Sequence, residues 1–133
     1  MRLARLLRAK AEHLGIVELE RPFQALPEYD LRSAEVAFIS NARWESTEDD
    51  NGNLQGSPEL VIEVLSLSNT KAEMREKATL CLATGAEEFW IVDPKTKTVT
   101  VLRRGAEARL YTGEDQIPLL LFGGALAVSQ IFD

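Results

Sequence analysis

Two side chains in this sequence are hard to account for by packing alone. Glu63 interrupts the run ELVIEVL (Glu59 to Leu65), where Leu60, Ile62 and Val64 fall on one face of a strand and Val61, Glu63 and Leu65 on the other. Apolar residues on both faces indicate a central strand covered on both sides. A carboxylate there must be paired, hydrogen-bonded, metal-bound or protonated. Lys77 lies on the rim of the apolar stripe Met74, Ala78, Cys81 and Leu82 of the helix that follows. It has two readings. One is an exposed i,i+4 pair with Glu73, worth about 0.2–0.5 kcal/mol. The other is a cation that reaches over the sheet toward Glu63. A further acid, Glu35, stands upstream in AEVAFIS, on the face shared by Ala37 and Ile39 and opposite Val36 and Phe38.

Composition narrows the chemistry. The chain has 133 residues, 45% hydrophobic and 27% charged. That suits one compact core rather than two, so a single domain over residues 1–133 is expected. The single cysteine, Cys81, rules out an internal disulfide and a paired-cysteine zinc site, and on the helix stripe it reads as core. The single histidine, His13, has no nearby nucleophile, which leaves a Ser-His-Asp or Cys-His mechanism without support. His13 reads as a partly exposed residue in a last helical turn. Metal held by carboxylates stays open, and it would favour Mg²⁺ or Mn²⁺ over zinc.

The net charge of −6 argues against a large nucleic-acid footprint. Cations cluster locally, with Arg2, Arg5, Arg8 and Lys10 at one end and Arg103, Arg104 and Arg109 toward the other. No apolar run is long enough to span a bilayer. The N-terminal segment lacks the apolar core and cleavage site of a signal peptide, so a soluble cytoplasmic protein is the expectation.

The elements that must position these residues follow in order. Leu3 to Leu14 carries leucines and alanines at helical spacing, and Gly15 stands as its stop. Ile16 to Arg21 alternates as a strand. Pro22 and Pro27 then suggest a loop or irregular edge. Ala34 to Ser40 is a second strand. Asn41 to Ser57 reads as a solvated loop. Its Glu48, Asp49, Asp50, Asn51, Gly52 and Asn53 do not have EF-hand spacing, and Trp44 either folds back on the core or lies at an interface. A helix is expected from about Thr70 to Thr84, with Thr70 and Glu73 spaced as a capping box and Gly85 as the stop. Phe89 to Asp93 and Thr98 to Leu102 flank a Pro94–Lys97 turn, and Ala108 to Thr112 adds a short strand. The apolar tail IPLLLFGGALAVSQIF packs as a last strand or helical turn, or covers a partner subunit. The order suits an α+β or mixed α/β fold around a mixed sheet.

With PELVIEVLSLS, Lys77, Cys81, Gly85 and EFWIVDP in this order, the chain resembles the Uma-two family of restriction-endonuclease-like proteins. Its members show PDLVVEVLSPS, then a helix ending K…Y…G, then EYWIVDP, and their PDVAFV strand matches Ala34 to Ile39. The likeness covers roughly Gly15 onward. It implies a restriction-endonuclease-like core, a mixed central sheet flanked by helices, similar to PD-(D/E)XK nucleases. In that fold two acids on adjacent strands bind Mg²⁺ and a lysine positions or activates the attacking water.

The resemblance implies Glu35 and Glu63 as metal ligands and catalytic acids, with Mg (or Mn) as cofactor. It also implies Lys77 as the catalytic lysine, because Leu65 occupies the usual lysine position. Glu59 would be a peripheral ligand or strand-edge charge. Ser66 and Ser68 would bond the site or cap the helix. Glu35 stands where the family has aspartate and Cys81 where it has tyrosine. The family's extra N-terminal helix and hairpin have no counterpart here, which implies a shortened member with Glu12 as a stand-in acid. The activity implied is DNA phosphodiester hydrolysis, with DNA as partner. The alternative is a degenerate member that serves as a non-enzymatic binding or oligomerising module. Either form is expected to make a homodimer or higher oligomer and no membrane contact.

Overall fold

The structure, a computed structural model, describes residues 2–25, 31–47 and 54–132. Its elements are α1 (Arg2–Ala11), β1 (Gly15–Gln24), β2 (Leu31–Ser40), α2 (Asn41–Thr47), β3 (Leu54–Gln55), β4 (Leu60–Val64), α3 (Lys71–Ala83), β5 (Glu88–Asp93), β6 (Thr98–Arg103), β7 (Arg109–Thr112), β8 (Gln116–Pro118), β9 (Ala125–Ala127) and α4 (Val128–Ile131).

A seven-stranded mixed sheet runs β3-β1-β2-β4-β5-β6-β7. β1, β2 and β4 are successively antiparallel, β4 and β5 are parallel, and β5, β6 and β7 form an antiparallel meander. The parallel pair requires a crossover, and α3 supplies it. Alternation then sorts the side chains. Val36, Phe38, Leu60, Ile62, Trp90 and Val92 pack under α1 and the C-terminal tail. Ala37, Ile39, Val61, Phe89 and Ile91 pack under α3. β4 is therefore covered on both faces, as its sequence indicates, and Glu63 shares the α3 side with Val61.

α3 keeps its expected bounds. Thr70 Oγ1 accepts from Glu73 N at 3.1 Å, and Gly85 takes a φ of +123° just past the end. Met74, Ala78 and Cys81 are buried, while Leu82 is only partly so. The tail becomes β8, β9 and α4, with Ile117, Leu119, Leu126 and Val128 set into the core beside α1.

Three expectations are corrected. α1 ends at Ala11, not Leu14, and Leu14 is exposed; Gly15 instead opens β1, where a Cβ would collide with the backbone of Ile39 and Ser40. β1 runs on through Pro22, which pairs with Ser33 without needing an N–H, and Phe23 is fully buried. The segment read as loop begins with α2, where Ser40 Oγ accepts from Arg43 N at 3.3 Å as an N-cap does. Trp44 folds back on the core with the Arg21 guanidinium 4.7 Å from its ring centroid. Residues 48–53, the acidic stretch weighed as a calcium loop, lie outside the described residues. No helix among the described residues is long and apolar enough to cross a membrane.

Candidate active site

Antiparallel pairing of β2 with β4 sets Val36 opposite Ile62, so one step further Glu35 falls opposite Glu63. The two are joined directly. Glu63 Oε2 accepts from the backbone N–H of Glu35 at 2.9 Å. Lys77 crosses from α3 and donates from Nζ to Glu63 Oε1 at 3.0 Å and to the Ser33 carbonyl at 2.6 Å. The Glu63 side chain is 6% exposed and that of Lys77 15%. Glu63 and Lys77 thus meet directly, Glu35 stands opposite Glu63 and is joined to it through its backbone N–H, and the exposed Glu73–Lys77 reading gives way to the reach over the sheet.

Glu35 is half-buried and carries the electrostatic stress of the group. Burial pushes its carboxyl above the ordinary range, the Glu63 carboxylate opposite pushes it further, and Glu20 adds a smaller push. Backbone hydrogen bonding at Val64 and the Lys77 charge oppose these. Glu20 was passed over in the sequence. Leu19 opposite Val36 and Arg21 opposite Ala34 set it at the position facing Glu35 on β1, with a left-handed φ of 52°. The alternation Glu18, Glu20 was the available signal. Glu20 acts through its field: among the described residues no three His, Cys, Asp or Glu side chains lie close enough to hold an ion.

The peripheral residues take structural roles. Glu59 Oε1 accepts from Ser40 N at 2.7 Å and so pins the other end of β2. Ser66 and Ser68 bond each other at 2.8 Å, and Thr70 rather than either serine caps α3. Glu12 follows α1 on the opposite face, near the Ser40 end of β2, and does not join the site. His13 is exposed in the turn after α1. Cys81 is buried, its thiol pushed up chiefly by that burial. Much of the second basic cluster is also spent internally. Arg103 meets Glu88, and Arg104 donates to the Leu82 and Ala86 carbonyls.

The arrangement is a carboxylate pair spanning two strands, with a lysine at one of the acids, on a mixed α/β sheet flanked by helices. A solved structure of this architecture, described as a putative nuclease belonging to DUF820 from Anabaena variabilis ATCC 29413, superposes with a TM-score of 0.82 at 18% identity, over 98% of this chain and 75% of that one. At that identity the likeness is one of fold. The chain belongs to the Uma2 family, described as putative restriction endonuclease, whose model matches residues 1–129. The match takes in α1 as well, beyond the Gly15 start read from the motifs. No curated protein matches the chain.

Proposed function

We propose that the protein is a Mg²⁺- or Mn²⁺-dependent DNA endonuclease that hydrolyses phosphodiester bonds at the Glu35–Glu63–Lys77 site. The observation that carries this reading is the pairing of two acids across β2 and β4 where one of them, Glu35, is disfavoured as an anion by its surroundings. A divalent cation between the carboxylates would reverse that disfavour, and hard carboxylate oxygens are the donors Mg²⁺ takes. Glu35 and Glu63 would hold the ion. When bound, it would lower the pKa of a water and neutralise charge on the phosphate. Glu63 keeps its orientation through the Glu35 N–H and Lys77, which leaves its remaining lone pairs for a ligand. Lys77 places a fixed cation beside the acids, where it can orient a water and offset the charge of an incoming phosphate.

A second reading, a non-catalytic binding or oligomerising module, is favoured by two observations. Lys77 is held by the Ser33 carbonyl as well as Glu63, and among the described residues no three acidic side chains gather closely enough to hold an ion. A homodimer is proposed under either reading. The exposed edge of β7 and the exposed Leu120 of the tail are the surfaces it would use. Sedimentation as a monomer at micromolar concentration would remove that part.

The test is thermal unfolding with and without Mg²⁺ or Mn²⁺, followed by nicking of supercoiled plasmid. A metal site stabilises by about 2.7 kcal/mol at one hundred times its Kd. The shift should vanish in Glu35→Gln and Glu63→Gln. Metal-independent stability together with no nicking by the parent protein would favour the module.

A further inference from the structure

On the other flank of α3 lies a cleft of about 310 Å³ between that helix and the β5–β7 meander. At helical spacing Lys71 and Arg75 fall opposite Lys77, with the buried Met74, Ala78 and Cys81 between them. Lys77 and this cleft are therefore on opposite flanks of the helix, on the same side of the sheet, with Ile91, the register partner of Glu63, in the cleft's floor. The floor is apolar, from Leu65, Ile91, Leu102 and Leu110. One wall is a row of hydroxyls: Thr98 and Thr100, which alternate along β6 onto one face, and Thr96 of the preceding turn, whose Oγ1 lies 2.8 Å from that of Thr98. Lys71 and Arg75 stand at the rim, and neither side chain has an acidic partner among the described residues. Lys95 and Lys97 flank Thr96 in the adjoining turn. The one acid lining the cleft, Asp93, is turned to the Lys95 and Thr96 amides, which donate to its Oδ1 at 3.0 and 3.4 Å. A chain of net charge −6 thus gathers cations around an apolar slot with a polar wall.

We propose that this cleft binds a nucleoside phosphate unit, with the base against the leucine and isoleucine floor, its edge toward the β6 threonines and the phosphate at Lys71 and Arg75. Each part of the ligand answers one part of the cleft. An apolar slab takes the face of a base. Hydroxyls serve donors and acceptors alike on its edge. Exposed lysine and arginine take the phosphate. The volume is at the small end for a ligand pocket and suits one nucleotide rather than a duplex. The site differs from the one proposed for hydrolysis and does not depend on it, because binding here needs neither metal nor Glu63.

Binding is measured in EDTA, so no cleavage intervenes. The probes are deoxythymidine monophosphate and inorganic phosphate by calorimetry, and a fluorescein-labelled oligodeoxythymidylate by anisotropy. The expected result is that the mononucleotide binds and that the double variant Lys71→Glu, Arg75→Glu weakens it at least tenfold while unfolding at the parent's temperature. Thr100→Val should weaken the nucleotide and leave inorganic phosphate unaffected. Glu63→Gln should bind as the parent does, which separates this site from the hydrolytic one. Binding of the oligonucleotide alone, lost in the same double variant, would assign the unit to a nucleic-acid strand. Inorganic phosphate binding as tightly as the nucleotide, no binding of either nucleotide probe at millimolar concentration, or an unaffected double variant would each overturn the proposal.

Discussion

Glu63 on β4 and Glu88 on β5 are the buried acids among the described residues, and each meets a cation. The Glu63 side chain is 6% exposed with Lys77 at 3.0 Å; that of Glu88 is 5% exposed with Arg103 at 3.6 Å. Burial and pairing therefore do not tell them apart. What surrounds them does. Glu88 points to the α1 side, accepts from Trp90 Nε1 at 2.9 Å, and faces Arg103 across β6; Arg103 also donates to the Pro118 carbonyl. Its neighbours are donors, and no other acid faces it across the strand pair. Glu63 points to the α3 side and faces Glu35, a second acid that is itself half open to water. A buried ion pair on its own is a modest stabiliser at best. An ion pair set against a further carboxylate keeps an electrostatic tension that the fold alone does not require.

The largest expected difference between the two is in activity. Loss of a positioned acid or lysine from a reacting centre lowers rates by about 10²–10⁴-fold. Glu63→Gln and Lys77→Ala should lose plasmid nicking on that scale. Glu88→Gln keeps an acceptor for Trp90 and should leave the rate per folded molecule unchanged. Equal losses at Glu63 and Glu88 would erase the distinction, since both would then act through the fold.

Stability should respond alike at both. Neutralising one acid strands a cation, at a cost of about 1–3 kcal/mol, below the figure for a fully buried pair because Lys77 and Arg103 keep 15% and 20% exposure. The doubles Glu63→Gln with Lys77→Met, and Glu88→Gln with Arg103→Met, should recover most of it in urea unfolding. The first double should stay inactive after that recovery and the second active. Recovery of nicking by the first would mean that the charges at β4 serve packing only.

The sequence made one of these pairs visible and hid the other. Glu63 stood out because apolar neighbours on both sides fixed its strand and its face, and the capped, glycine-stopped α3 fixed where Lys77 points. Glu88 follows Glu87 at the start of its strand and looks like the polar edge of a turn; only its register with Leu60 and Arg103 buries it. Glu20 was hidden for a similar reason. Its meeting with Glu35 depends on β1 running through Pro22, which local propensity argues against. The faces of β4 and β5 and the extent of α3 were local matters of period and capping. α2, the long β1 and the burial of Glu88 are set by partners far along the chain, and no single window contains them.

The smallest expected effect is the most specific to the Glu35–Glu63 side. The folded-state pKa of Glu35 is raised above its unfolded value. Its contribution to stability is therefore fully present below the unfolded pKa and is lost as pH rises through the folded one. In the absence of metal, unfolding midpoints should fall over the weakly acidic range above about pH 4. Glu35→Gln should flatten that fall, while Glu88→Gln should not. With Mg²⁺ present the slope should shrink or reverse, because the ion binds the carboxylate form and its stabilisation grows as the proton leaves. A Glu35→Gln protein with the parent's pH slope would place the titrating group elsewhere. It would also remove the electrostatic reason for a cation between β2 and β4, leaving Glu63 and Lys77 as a pair no different in kind from Glu88 and Arg103.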